Sequence, residues 1–202
     1  MVDFVSEIWY TFFVFRGRGS RHRPVVSPTR FEPDMKDRQT LPMKTYKFKL
    51  YSNHGNRELQ KTIDSHAHVW NHFVALCRRY YAIYGRYAGK KALMRHLTKL
   101  KRLSRFAHWN LLPSQSLQDV IDRLDKAYTQ MFADPKSNKR SSRPRFKKRK
   151  LYKSYTLKQA GWQLLQSNYI RIGKRIYRHF KSQEILGNPK RCTVKRDSIG
   201  IV

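Results

Sequence analysis

KSNKRSSRPRFKKRKLYK, residues 136–153, divides the chain into two kinds of sequence. Ten of its eighteen residues are Lys or Arg and none is acidic. Before it, apolar residues recur at helical steps; after it, apolar runs shorten to strand length. So much like charge in one segment repels itself unless a polyanion lies nearby. The PRF centre at Pro144, Arg145 and Phe146, with strand patterning directly after it, argues for an ordered strap rather than a loose basic linker.

Upstream of the strap, Leu59, Ile63, Ala67, Trp70, Val74, Cys77, Tyr81 and Tyr84 fall at three- and four-residue steps, which predicts a helix from Arg57 that Gly85 and Gly89 end. A second helix is predicted from Lys90 to Phe106, with Leu93, Leu97, Leu100 and Leu103 inward and Lys99, Lys101, Arg102 and Arg105 outward. Ser114 reads as the N-cap of a third, whose stripe is Leu117, Val120, Ile121, Leu124, Tyr128, Met131 and Phe132. Three antiparallel helices can bury such stripes together.

Downstream, strands are expected at Tyr155–Leu157, Gln163–Leu165, Tyr169–Ile172, Ile176–Phe180, Cys192–Lys195 and Ile199–Val202, separated by Gly, Asn, Pro and Ser. One more strand-like alternation, KTYKFKLY at 44–51, stands alone before the helices. With no local partner, it is expected to pair with the C-terminal strands. The fold class is therefore α+β: a small β-barrel or twisted sheet from 43–54 and 136–202, with a helical unit at 55–135 inserted into it.

The whole chain has 202 residues, with 44 Lys and Arg against 13 Asp and Glu, a formal charge of +31. Nucleic acid is the first partner such a balance suggests. An anionic membrane comes second and is not expected as a partner, since no apolar run approaches the roughly 18 residues that span a bilayer and no basic amphipathic helix ends the chain. The two cysteines, Cys77 and Cys192, form no CxxC pair, which suits a reducing, cytoplasmic setting and small buried apolar roles. Residues 1–42 depart from this pattern, with an apolar cluster from Ile8 to Phe15 and a Pro- and Arg-rich run. They read as a disordered leader ahead of a patterned body that Met43 opens.

No catalytic constellation emerges. Asp119, Asp122 and Asp125 repeat every three residues on the third helix, a spacing that fits either a metal-binding acid cluster or a stripe paired with Arg123, Lys126 and the neighbouring basic helix. The paired stripe is preferred, since two-metal sites draw ligands from separate elements. Asp64, His68 and His72 share a helical face, but the Glu of an HExxH zinc motif is missing. His66 and His108 have no partner that the sequence identifies. Basic residues interleaved with Tyr, Phe and Trp suit phosphate neutralisation with stacking on unpaired bases.

KTYKFKLY at 44–51, VWNHFVAL at 69–76, LPSQSLQDVIDRLDKAYTQMF at 112–132, RPRFKKRK at 143–150 and NPKRCTVKRD at 188–197 together resemble the TnpB (OrfB) proteins of bacterial insertion sequences, in that family's order. The resemblance implies a transposase-associated, RNA-guided DNA endonuclease built from an OB-like wedge domain, an inserted helical recognition domain, a RuvC-like nuclease domain and a zinc ribbon. It covers the wedge and recognition parts only. The nuclease acids and zinc-ribbon cysteines would lie downstream of Val202, so this chain is expected to bind without cutting and to need no cofactor of its own, Mg and Zn belonging to those downstream domains. The final block, RDSIGIV, departs from the family in lacking an aromatic after its glycine.

By position, the resemblance implies that Ser114, Gln115 and Gln118 approach a short DNA motif beside the target, Gln118 being able to make a bidentate contact to adenine. It implies guide-RNA or heteroduplex backbone contacts for Lys44, Lys47, Lys49, Arg145, Lys147 and Lys148, and Arg143, Lys190 and Arg196 are expected as further nucleic-acid contacts. The expected partners are a guide RNA and target DNA. A stand-alone basic RNA-binding structural module is the other class of protein this sequence fits.

Overall fold

A computed structural model of the chain describes residues 8–15, 43–132, 143–166, 168–185 and 188–197. The N-terminal half of the basic run and the strand expected at 199–202 lie outside the described residues. The architecture is mixed α+β. Strand β1 (Ile8–Phe15) and β2 (Met43–Lys49) precede helices α1 (Asn56–Tyr84), α2 (Lys90–Leu100) and α3 (Ser114–Phe132). Five strands follow: β3 (Ser154–Leu157), β4 (Trp162–Leu165), β5 (Tyr169–Ile172), β6 (Arg175–Arg178) and β7 (Asn188–Arg196).

The strands form two antiparallel sheets, in the orders β2-β1-β7-β3 and β4-β5-β6. Among the described residues a single bridge joins them: Leu50 pairs with His179, flanked by Tyr51 N–H donating to the Arg178 carbonyl and Phe180 N–H to that of Lys49. Through this corner the seven strands run continuously from β3 to β4. Those two terminal strands are not hydrogen-bonded to each other, so of the barrel or twisted sheet expected the described residues form no closed barrel but two sheets joined at one corner.

The leader also needs correction. Ile8–Phe15 is not disordered chain but a strand, β1, that pairs with β2 on one side and β7 on the other. Strand β2 therefore reaches β7 only through β1, and the direct pairing of 44–51 with a C-terminal strand is that of Lys49–Tyr51 with Arg178–Phe180.

One continuous core joins sheets and helices. Along β2, Tyr46, Phe48 and Leu50 are buried while Thr45 and Lys47 face out, the period-2 pattern of a half-buried strand. Helix α1 ends where Gly85 takes φ 64°, a left-handed cap that costs glycine nothing. Its predicted stripe is buried from Leu59 to Cys77, but Tyr81 and Tyr84 are exposed. Tyr81 lies against the ring of Phe132, the last residue of α3, and Tyr84 is nearly a turn further on. Helix α2 stops at Leu100, earlier than expected, because the chain is extended at Leu103 and re-forms as a 3-10 turn over Ser104–Leu111. Leu103 is consequently exposed. At α3 the Pro113 carbonyl accepts the N–H groups of Ser116 and Leu117, so Pro113 occupies the cap and Ser114 is the first helical residue.

Candidate nucleic-acid interface

Helix α3 begins at the rim of an open cleft of about 480 Å³ against α2 and the 3-10 turn. Ser114 and Gln118 line it from α3, Lys101, Arg102 and Asn110 from the other side, with Leu97 and Leu117 also contributing to its walls. The Lys101 ammonium lies 3.4 Å from Ser114 Oγ, and Asn110 Nδ2 donates to the Lys101 carbonyl at 2.9 Å, fixing the turn. The cleft thus holds two cations, two hydroxyls (Thr98 and Ser114) and two primary amides over an aliphatic wall. Lys101, Arg102 and Asn110 were not among the residues singled out from sequence, although the first two fall on the outward face of α2's pattern.

Gln115 does not join them. One helical residue turns about 100°, which carries its side chain to the β3–β4 connection. There its Oε1 accepts the backbone N–H groups of Lys158, Gln159 and Ala160 at 3.1, 2.9 and 3.1 Å. The expected base-reading carbonyl is committed to holding a loop.

The strap is ordered over 143–148 and docks along α1 by its backbone. Arg78 donates to the Pro144 carbonyl at 3.1 Å, and Trp70 Nε1 to that of Arg145 at 3.0 Å. The Asn71 amide donates to the Lys147 carbonyl at 2.9 Å and accepts its N–H at 2.8 Å. Two of the sequence blocks, VWNHFVAL and RPRFKKRK, are therefore parts of one contact. Pro144 is its buried residue. Phe146 is 52% exposed, with the Arg78 guanidinium 4.5 Å over its ring.

With the backbone held inward, the side chains of Arg143, Arg145 and Lys148 are exposed, Arg143 with its guanidinium 5.5 Å over Tyr81. Lys147 is exposed as a residue, yet its ammonium sits 4.3 Å over Trp70 and 5.5 Å over Tyr152. Partial burial there, and secondarily Arg123, holds its pKa below the usual lysine range. Lys47 and Lys190 are exposed and Lys49 is half-buried. Lys44 lies in β2 opposite Val14; its side chain is outside what is described.

Arg196, expected to contact nucleic acid, is engaged within the fold as a clamp. Its side chain is 14% exposed. One guanidinium nitrogen donates to Asp64 at 2.9 Å, and the other to the carbonyls of Arg149 and Tyr152 at 2.6 and 3.0 Å. Arg123 does the same between α3 and β3, donating to the Ser154 carbonyl at 2.8 Å and Thr156 Oγ1 at 2.7 Å while its Nε lies 2.6 Å from Asp119.

The acidic stripe on α3 is paired. Besides Asp119 with Arg123, Asp122 lies 2.6 Å from Lys90 and 2.5 Å from Lys158, and Asp125 accepts from the Tyr87 hydroxyl at 3.1 Å. Burial opposes ionisation of Asp122, but the two ammonium groups outweigh it and hold the carboxyl below its usual range. Asp64 turns to Arg196, and His72 stacks among His96, Phe106 and Trp109. Among the described residues no three His, Cys, Asp or Glu side chains converge on a metal-sized site. Burial pushes the Cys77 thiol up to about 12 and that of Cys192 higher still, so neither is a nucleophile at neutral pH. No helix among the described residues is long and apolar enough to cross a membrane.

A family model described as a helix-turn-helix domain, that of the OrfB proteins of insertion sequences, matches residues 43–86. In the structure these residues are β2, a turn and α1; the next helix starts beyond the match, at Lys90. No curated protein matches the chain.

Proposed function

From the premise that this chain belongs to the TnpB/OrfB insertion-sequence transposase family, as its N-terminal part, we propose that it is the nucleic-acid-binding part of an RNA-guided DNA endonuclease. It holds a guide RNA and reads a short motif in target DNA. The match gives the coarser role, DNA binding associated with transposition; the guide and the motif are the proposal.

The observation that supports it most is the cleft at the start of α3. Gln118 can donate to and accept from the N7/N6 edge of adenine, and Ser114 can serve a base or a phosphate. Lys101 and Arg102 line the same cleft and would take the adjoining phosphate. A helix that offers its N-terminal side chains to base edges is also the way recognition helices dock, with the positive end of the helix toward the backbone. The exposed cations of the strap, Arg143, Arg145 and Lys148, would follow an RNA or heteroduplex backbone, and sequence along the target would be read by base pairing. Helices α1–α3 are then the recognition unit between β2 and β3. The proposal is one of binding: Asp119, Asp122 and Asp125 are engaged with Arg123, Lys90, Lys158 and Tyr87.

The test is enrichment of a randomised duplex on the full chain and on Gln118→Ala. The wild-type protein should enrich a short motif, and Gln118→Ala should relax one position of it while leaving RNA affinity nearly unchanged. Equal losses on duplex and RNA would remove the base-reading role. Absence of any duplex preference in the wild type would favour the stand-alone RNA-binding module.

A further inference from the structure

We propose a second nucleic-acid contact on this chain: the solvent face of β5 and β6, extended through Tyr51, stacks unpaired bases. It rests on the reading of the chain as nucleic-acid-binding but uses none of the residues of the α3 cleft.

Strand alternation builds the face. Ile170, Ile172, Tyr177, His179 and Leu50 are buried, so their neighbours Tyr169, Arg171, Ile176, Arg178, Phe180 and Tyr51 point outward. Register places Tyr169 opposite Arg178 and Arg171 opposite Ile176. The Leu50–His179 bridge then sets Tyr51 beside Arg178 and Phe180 beside Lys49. Aromatic and cationic side chains therefore alternate across three strands.

The rings are already arranged for stacking. Tyr51 and Phe180 lie 3.7 Å apart between centroids at 19°, and the Arg178 guanidinium sits 4.9 Å over Tyr51. Phe180 occupies one face of the Tyr51 ring, so Arg178 must occupy the other. The face left open in this stack is the outer one of Phe180, which is 42% exposed; Tyr51 and Tyr169 are 36% and 39% exposed.

Charge selects the occupant. A protein partner would meet Arg171, Arg178 and Lys49 at the centre of its interface, where charged residues are normally depleted. A duplex keeps its bases stacked on one another, leaving Phe180 nothing to stack on. A single strand offers both a π-face and a phosphate at each nucleotide, which is what rings interleaved with arginines accommodate.

The experiment is fluorescence anisotropy of the full chain with an unstructured 12-nucleotide RNA, the matching single-stranded DNA and a duplex, over a range of salt. Phe180→Ala should weaken single-strand binding about tenfold, within the range for loss of one stacked base. Its salt dependence should not change, because no phosphate contact is removed, and duplex binding should stay at the wild-type level. Phe180→Trp should retain single-strand affinity, and unfolding midpoints of both variants establish that they are folded. Loss on the RNA, the DNA strand or both supports the platform and identifies the strand it serves. Wild-type single-strand affinity in Phe180→Ala, with duplex still bound, overturns the platform and leaves the cleft reading standing. A chain that binds none of the three overturns both.

Discussion

His66 ties the stability of this protein to pH, and His66→Gln measures how strongly. The ring is fully buried in the core between α1 and α3. Its Nδ1 lies 2.6 Å from the Thr62 carbonyl and its Nε2 2.7 Å from Ser116 Oγ, and it stacks on Tyr155 at 5.0 Å and 7°. A carbonyl can only accept, so Nδ1 keeps the proton, and in the neutral ring Nε2 must accept from Ser116. Ser116 Oγ is also 2.7 Å from the Pro113 carbonyl and has one proton for two acceptors. Protonating His66 would satisfy both, since Nε2 would donate to Ser116 and Ser116 to Pro113. Burial opposes this and wins, with the Arg123 charge adding to it against the Thr62 hydrogen bond; the pKa falls from 6.5 to about 4. The unfolded chain therefore binds more protons than the folded one between these values, and stability is lost as pH falls. The total is about 3 kcal/mol, of which about 2 kcal/mol is lost between pH 7 and pH 5. His72, His96 and His179 are shifted in the same direction by burial, so the wild-type loss should exceed that figure. Urea unfolding of wild type and His66→Gln at both pH values isolates the one residue. The variant should be less stable at pH 7, yet lose about 2 kcal/mol less on acidification. Equal losses in the two proteins would refute the assignment of a neutral, buried His66.

Gln115→Ala should release the β3–β4 connection, lowering stability by about 1–2 kcal/mol and speeding amide exchange at Lys158, Gln159 and Ala160; exchange there at the wild-type rate would contradict the role given to its carbonyl. Asn71→Ala should detach the strap at Lys147, seen as faster tryptic cleavage between Arg143 and Lys148 with α1 intact by circular dichroism, and unchanged cleavage would mean that Trp70 and Arg78 hold the strap without it.

The elements with local signals were legible in the sequence. The α1 stripe, its glycine stop, the α3 stripe and five short strands follow from spacing and turn residues within a few positions of one another. What was not legible depends on partners distant in the chain. IWYTFFVF at 8–15 does not alternate, and its partner β7 lies at the other end of the sequence; nothing local marks it as the strand between β2 and β7. Arg196 looks like any other cation in NPKRCTVKRD until Asp64 is brought against it. The separation of Gln115 from Ser114 and Gln118 was legible in principle, because residues four apart share a helical face and adjacent ones do not. The stacking face required the register: RIYRHF announces a strand, but only its pairing with Tyr169 and Tyr51 gathers the rings.

The same distinction separates the two kinds of cation in this chain. Arg78, Arg123 and Arg196 direct guanidinium groups at backbone carbonyls of the strap, β3 and the turn before β3, where a planar, always-charged fork can satisfy several acceptors at once. These contacts are short-range and partly buried, so salt screens them little. Arg143, Arg145 and Lys148 expose their side chains from a backbone that those contacts, with Trp70 and Asn71, have already fixed. Order in the strap from Arg143 to Tyr152 thus precedes nucleic acid instead of depending on it, because Trp70, Asn71, Arg78 and Arg196 all hydrogen-bond its backbone. A ligand that reaches this surface meets cations with part of their ordering entropy already lost, which lowers the cost of binding. Raising the salt should therefore strip nucleic acid from the exposed cations while leaving the strap seated on α1.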